Sequence, residues 1–511
     1  MKKRANIRFV SAMAMFTLVV LAVASCKKTG KEIRNEQPVR AAVLASCDTC
    51  TYAKTDTLRG VITVDKTLDC NTIWYLDGLV YVSNNKTLTI HPGAIIRGLE
   101  GDLTTNPRTP GGGLIITKGS KLIAEGSETC PITFTSWRDE PGHPDGAPVS
   151  GDWAGVVLLG QAPTNNGTSN IVEGVPSNPP ADATYGGNIS NDNSGILKYV
   201  VIKYAGFPLE DNVEINGLTM AGVGCGTTID YVEVFKANDD AFEWFGGTVN
   251  ATHLIAVDPL DDMFDFDNGY TGKIQWALGL ADQSRADQST SNGIEADNNS
   301  GGTVTTLETR PVISNMTLIG YSTSTLANTA LRGRGNQWRR NAGFILQNSI
   351  VLGFKEGILL DGCLSQTKYL GTGSSLVDSL KRNLVHAYNT SSAYIAGGSP
   401  ACSPAFTSAN FLAKATTVGS SCAIQDNGAF VNANANADIR LVNPFVRSTT
   451  GFYRPSTTSP ASPAISGFTN CSFPGAPNAC SFSFTTGISY RGAFGSAAGD
   501  DWAVNWAIFE D

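Results

Sequence analysis

Between residues 71 and 160 apolar and polar side chains alternate in short runs, and each run stops at Asn, Pro or Gly. The stretch "TIWYLDGLVYVSNNKTLTIHPGAIIRG" sets Leu76, Val80, Val82, Leu88, Ile90 and Ile96 on one side of such runs. "GLIITKGSKLIAEGSETCPITFTS" and "DWAGVVLLG" continue the pattern. Alternation with a period of two, punctuated by turn formers, predicts short strands. No stretch beyond residue 25 sustains the 3.6-residue period of a long amphipathic helix.

The middle of the chain repeats one unit. "GILKYVVIKYAG" (195–206), "TTIDYVEVFKAND" (227–239), "NATHLIAVDPLDD" (250–262), "VISNMTLIGYS" (312–322) and "FILQNSIVLGFKEG" (344–357) are each a strand with inward aliphatics and a bend. One unit cannot bury its own apolar face, but stacked copies share a core. The spacing of about 22 residues suits three short strands per turn, and a propeller blade needs about 40. The expected fold is therefore all-β, a right-handed parallel β-helix with long loop insertions. Loops at 101–113, 138–150 and 161–194, rich in Gly and Pro, should project from one side. The expected organisation is a signal peptide at 1–25, a tether at 26–45 and the β-helix at 46–361. Irregular, disulfide-bearing rungs or a capping region follow at 362–511, with Trp502, Trp506 and Phe509 packed to cover an open end.

Within the repeats, "DDAFEWFGG" (239–247) returns as "DDMFDFDNG" (261–269). Aligned by inward residue, Phe242-Glu243-Trp244-Phe245 lies over Phe264-Asp265-Phe266-Asp267 and then Ile294-Glu295-Ala296-Asp297. Leu331-Arg332-Gly333-Arg334 and Ile358-Leu359-Leu360-Asp361 are the expected fourth and fifth copies. Successive rungs stand about 4.8 Å apart, with alternate side chains facing out. One outer column would then be Glu243, Asp265, Glu295 and Arg332, and its neighbour Phe245, Asp267, Asp297 and Arg334. Stacked carboxylates repel, so these rungs ask for arginines, a cation, or simply solvent and salt bridges. Calcium accepts several carboxylate and carbonyl oxygens, which makes Asp265, Asp267 and Asp297 candidate metal ligands. The aspartate pairs Asp239-Asp240 and Asp261-Asp262 are expected to serve the bend before each strand. Phe245, Tyr270 and Trp276 are candidate sugar-stacking aromatics, or core. The four histidines are scattered and make no zinc site.

Composition and termini narrow the class. "MKKR", an apolar run and "VASC" ending at Cys26 have the order of a lipoprotein signal, so Cys26 is the expected lipid attachment site. Without residues 1–25, the 37 basic residues fall by four to 33 against 45 acidic, a net charge of −12. Such a chain is not expected to bind nucleic acid. Its expected partners are the membrane, through Cys26, and a polysaccharide or an outer-membrane protein. Ten cysteines remain beyond Cys26, and an exported chain can oxidise them. Cys402–Cys422 and Cys471–Cys480 are plausible local bridges, and Cys47 and Cys50 are expected in structural disulfides, with Cys70 a candidate partner.

"LDGLVYVSNNKTLTIHPGAIIRG", "DWAGVVLLG", "DDAFEWFGGTVNATHLIA", "DDMFDFDNGYTG" and "YRGAFG" resemble a family of exported β-helical lipoproteins of Bacteroidota. That resemblance implies fold and an outer-membrane location, with the face of the membrane undecided, and carries no catalytic residues. The acidic columns are also similar to pectate-lyase-like proteins, which hold Ca²⁺ with aspartates and remove a proton with a basic residue. That likeness would make Arg332 or Arg334 a substrate contact or base. A hydrolase would instead draw an acid and a base from carboxylates such as Glu243 and Glu295. Three functions stay open: a glycan- or protein-binding module, a polysaccharide lyase or hydrolase, and a structural envelope protein.

Overall fold

The computed structural model describes Cys47 and residues 50–510, apart from 106–107, 177–178, 211–212, 304, 372–377, 390–392, 404, 408, 411–426, 459, 466–479 and 486. The leader, Cys26 and the tether lie outside the described residues, as do Cys422 and Cys471.

The strands wind as a parallel β-helix with three faces. Along the first two faces Gly195–Lys203, Thr228–Phe235, Asn250–Val257, Lys273–Leu280 and Val312–Ile319 stack in parallel, Ile196 opposite Thr228 and Ile274 opposite Ile313. Each of these long strands bends once in its middle, so its two halves belong to adjoining faces. The bend residue is left-handed in every rung: Tyr199 has φ 49°, Tyr231 54°, His253 53°, Trp276 58° and Asn315 56°. A side chain in this region costs about 1–2 kcal/mol. Stacking offsets that cost, because rings one rung apart lie face to face. Centroids are 4.3 Å apart for Tyr199–Tyr231, 4.1 Å for Tyr231–His253 and 4.8 Å for His253–Trp276.

The third face carries the acidic repeat. Its strands Gly155–Leu159, Leu218–Ala221, Phe242–Phe245, Phe264–Asp267, Ile294–Ala296, Asn336–Trp338, Ile358–Asp361 and Tyr394–Gly397 pair in sequence order. Phe242, Trp244, Phe264 and Phe266 have no exposed surface and stack inward, Phe242 on Phe264 at 5.5 Å and Trp244 on Phe266 at 4.8 Å. The repeat "GG" or "NG" ends these strands because the turn is left-handed and crowded. Gly246 has φ +69°, and a Cβ there would meet Asn268 O at 2.7 Å.

Two expectations change. The insertion 161–194 does not simply project: Val172, Val175, Ala183 and Tyr185 cover the outer side of the third face, packed with Val157, Leu159, Ala221 and Phe245. Beyond residue 361, where rungs or a capping region were expected, the stack continues through Ser379–Lys381, Leu384–Ala387 and Gly428–Val431. The tail covers a flank, not an open end. Trp502 meets the edge of His253 at 5.0 Å, Trp506 that of Tyr231 at 5.9 Å, and the Ile508 N–H donates to Glu233 Oε2 at 2.9 Å.

The cysteine pairing differs in part: Cys50 pairs with Cys70 as expected, and the two local bridges do not form. The bridges are Cys47–Cys130, Cys50–Cys70, Cys225–Cys480 and Cys363–Cys402. The expected partners of Cys480 and Cys402 are replaced because the chain folds back. Cys480 lies beside a rung 255 residues earlier, and Cys402 beside the helix Gly362–Leu370, which begins after the strand Ile358–Asp361. Both separations are invisible to reasoning from nearest neighbours in sequence.

Candidate functional site

The first three copies of the acidic repeat stack as the alignment predicts: Glu243 faces Asp265, Asp265 faces Glu295, and Phe245 faces Asp267. The fourth copy is five residues later than expected. Asn336, Gln337 and Trp338 pair with Ile294, Glu295 and Ala296. Arg332 and Arg334 therefore stand before the strand, outside the columns. Arg334 is paired with Glu356 at 2.6 Å, and Arg332 donates to the carbonyls of Leu326 and Gln283. The fifth copy, Ile358–Asp361, lies where it was expected.

Two arginines missed by the sequence reading do meet the columns. Arg339 bridges Glu295 and Asp297, the latter at 2.8 Å, and Arg340 reaches Asp297 at 2.5 Å. The signal was present in "NQWRRN". Its Trp338 matches Trp244 one-for-one, and that match would have placed Arg339 next to Asp297.

The aspartate pairs do more than turn the chain. Position 240 and its equivalents form a ladder in which each side chain accepts the backbone N–H of the next rung. Asp240 N–H donates to Asn216 Oδ1 at 3.2 Å, Asp262 N–H to Asp240 Oδ1 at 2.8 Å, Asn292 N–H to Asp262 Oδ1, and Arg334 N–H to Asn292 Oδ1 at 2.9 Å. This fixes one oxygen of each aspartate. The neighbouring position holds Asp239 and Asp261, and Ser289 Oγ donates to Asp261 Oδ2.

Carboxylates thus converge from several segments with few donors. Oxygens of Asp240, Glu243 and Asp265 lie within 4.8 Å of one another, as do those of Asp239, Asp240 and Asp261. Glu243 is held by Asn216 Nδ2 and is 5% exposed. Asp265 is the outlier. Its side chain makes no hydrogen bond or ion pair among the described residues, and its Oδ1 is shut off from solvent. Burial first, then Glu295, Asp267 and Asp297, hold the Asp265 carboxyl well above the usual carboxylate range. Burial, then Glu173 and Asp265, do the same to Glu243. Burial pushes Asp267 up to about 7 and Glu295 up to about 8, the latter against the pull of Arg339. Glu173, on the covering insertion, rises to about 7 through burial and the charges of Glu214 and Asp267. The insertion therefore adds acid to the site as well as a wall.

The three expected metal ligands do not stay equivalent. Asp297 is taken by two arginines, and Asp267 accepts from Asn268 N–H at 2.6 Å and from Asn268 Nδ2 at 3.1 Å. Asp265 remains open toward Asp240 and Glu243. A hard cation with oxygen ligands fits this donor set: three carboxylates, one with an orphaned oxygen, and no histidine or thiol in either convergent group.

None of the three aromatics offers a sugar platform. Tyr270 is fully buried, its hydroxyl donating to Val249 O at 2.8 Å. Phe245 is 8% exposed and faces Tyr185, and Trp276 belongs to the bend stack.

The family model of the pectate-lyase like beta helix domain matches residues 60–426, which spans both the acidic face and the rungs that carry it. No curated protein and no solved structure gives a significant match. With three parallel faces wound in register and the family match covering well over half of its length, the chain belongs to the pectate-lyase-like β-helix domain family.

Proposed function

We propose that the protein is a carbohydrate-binding module of the cell envelope, anchored by lipid at Cys26, whose acidic face binds its glycan through a divalent cation. Asp240, Glu243 and Asp265 would hold that ion, and calcium is the ion their oxygen chemistry suits best. The observation that carries this reading is the orphaned carboxylate of Asp265, in register between Glu243 and Glu295. Without a counter-ion that arrangement places like charges on adjacent rungs; with one, the repulsion becomes the affinity. The family match supports a carbohydrate-related role, and the leader sequence supports lipidation and the outer membrane. The Bacteroidota lipoprotein resemblance supports the same placement.

Binding is preferred to lyase chemistry because Arg339 and Arg340, the arginines at the columns, are held by carboxylates, Arg334 is paired with Glu356, and Arg332 stands before the strand, outside the columns. A glycoside hydrolase is the second reading. It is favoured by one observation, that burial lifts Glu295 to about 8 and would keep it protonated at neutral pH as a general acid. Calorimetric titration of calcium into chelator-treated protein, followed by a glycan array read with and without calcium, tests the proposal. Saturable calcium uptake and calcium-dependent retention of a glycan are expected. Calcium uptake that is absent, or glycan retention indifferent to calcium, would overturn it. Release of reducing ends from a retained glycan would select the hydrolase.

A further inference from the structure

We propose that the groove beside Arg332 is a separate binding site, for the carboxylate head of a small organic monoanion with an aliphatic body. The groove has a volume of about 520 Å³ and is lined by Leu260, Ser284, Ala286, Thr329, Leu331 and Arg332, with Arg285 on its wall. That volume lies in the range of small-molecule sites. It sits at the bend that precedes the acidic strands, so it opens beside the columns and not on them.

Arg332 is 5% exposed, and no carboxylate pairs with it among the described residues. Its Nη1 donates to Leu326 O at 3.0 Å and its Nη2 to Gln283 O at 2.6 Å, and the guanidinium lies 4.5 Å from the centre of the Tyr321 ring. These contacts fix the plane of the group without cancelling its charge. A guanidinium has five N–H donors, so most of its fork is left over. A charge this deep is ordinarily paired. Arg285 does not compete, because its own guanidinium is paired with Asp282 at 2.7 Å. The remaining complement to Arg332 is an acceptor that enters through the groove, and a planar carboxylate matches the fork with two parallel bonds.

The lining specifies the rest of the ligand. Leu331 is 42% exposed, an aliphatic side chain held at the mouth, and Leu260, Ala286 and Ala330 extend the apolar wall. The hydroxyls of Ser284 and Thr329 already donate to Asp282 Oδ1 and Leu326 O, so only their oxygens remain, as acceptors for a donor group on the ligand's body. The ligand is assigned one negative charge to match the one guanidinium of the groove that no carboxylate pairs with among the described residues. The site uses none of the carboxylates assigned to the cation, so it stands or falls independently of the calcium reading.

N-acetyl-leucine and N-acetyl-leucine amide, titrated into the full chain by calorimetry in the presence of a chelator, test the proposal. A short peptide ending in a leucine carboxylate forms a third arm and separates a free acid from a chain terminus. Saturable binding of a carboxylate probe is expected, with the amide weaker by about tenfold or more, the worth of a charge-assisted bond. Leu331→Asp, an exposed substitution that leaves the Arg332 contacts intact, should abolish binding without changing the melting temperature. Arg332→Gln should abolish it as well, and Arg332→Lys should restore part of it. Equal binding of acid and amide, no saturable binding of any probe, or unchanged binding in Leu331→Asp would each overturn the proposal.

Discussion

Replacing Asp265 with Asn keeps the shape of the side chain and removes one charge from the middle of a column. Glu243 and Glu295 stand one rung away on either side, in direct register. At a rung spacing of about 4.8 Å, two full charges repel by about 1 kcal/mol in water and about 3.5 kcal/mol at an effective dielectric constant of 20. Asp265 has two such neighbours, but its carboxyl and that of Glu243 are held well above the usual range and carry only part of a charge, so the relief from removing it is below the full-charge sum over both pairs, about 1–3 kcal/mol. Cation-free Asp265→Asn should therefore melt higher than the cation-free parent, by a few degrees for a chain of this size. The order should reverse in saturating calcium. The parent gains RT ln(1 + [Ca²⁺]/Kd), about 2.7 kcal/mol at a hundredfold excess over Kd, and the variant, lacking the ligand, gains little. Differential scanning calorimetry in chelator and in calcium reads both differences. A variant that melts lower than the parent in chelator, or that keeps the parent's calcium shift, would refute the reasoning about Asp265.

Three further outcomes follow from the same contacts. Arg339→Gln leaves Glu295 and Asp297 less compensated; it should lower the cation-free melting temperature by the equivalent of about 1–3 kcal/mol, with calcium recovering part of the loss, as seen by thermal melting in both conditions. Asn292→Ala removes the acceptor for Arg334 N–H inside the ladder and should cost about 1–3 kcal/mol in denaturant unfolding, with no loss of calcium affinity beyond that. Glu233 is fully buried, and burial holds its carboxyl well above 4.5 against the pull of the Ile508 N–H and Lys203. The folded state thus binds its proton more tightly than the unfolded state, and the parent should lose stability as pH rises from about 4.5 toward the raised pKa. Glu233→Gln should flatten that slope and be the more stable of the two at neutral pH; parallel pH–stability curves would contradict it.

The fold was legible in the sequence because a β-helix writes its core as a repeat. Phe242 and Phe264, Trp244 and Phe266, recur because each rung must fill the same slot of the shared interior. The acidic columns were legible for the same reason through three rungs. They failed at the fourth, where Arg332 and Arg334 attracted the alignment by charge while Trp338 carried the true register through packing. Inward aromatics are the more reliable guide, since a shifted register would put them in water. The long-range partners were beyond reach. Glu173 joins the site through an insertion with its own apolar cluster, and Cys480 meets Cys225 because the tail returns along the flank. Neither contact follows from periodicity, because each depends on where an irregular segment lands.

The central claim is that a divalent cation sits among Asp240, Glu243 and Asp265. Anomalous diffraction from crystals of the full chain soaked in a lanthanide that replaces calcium tests it most directly. The account predicts a strong anomalous peak within coordination distance of Asp265 Oδ1 and of oxygens from Asp240 and Glu243, removed by competing calcium. Lanthanide found elsewhere on the protein, with no peak among these three carboxylates, would contradict it.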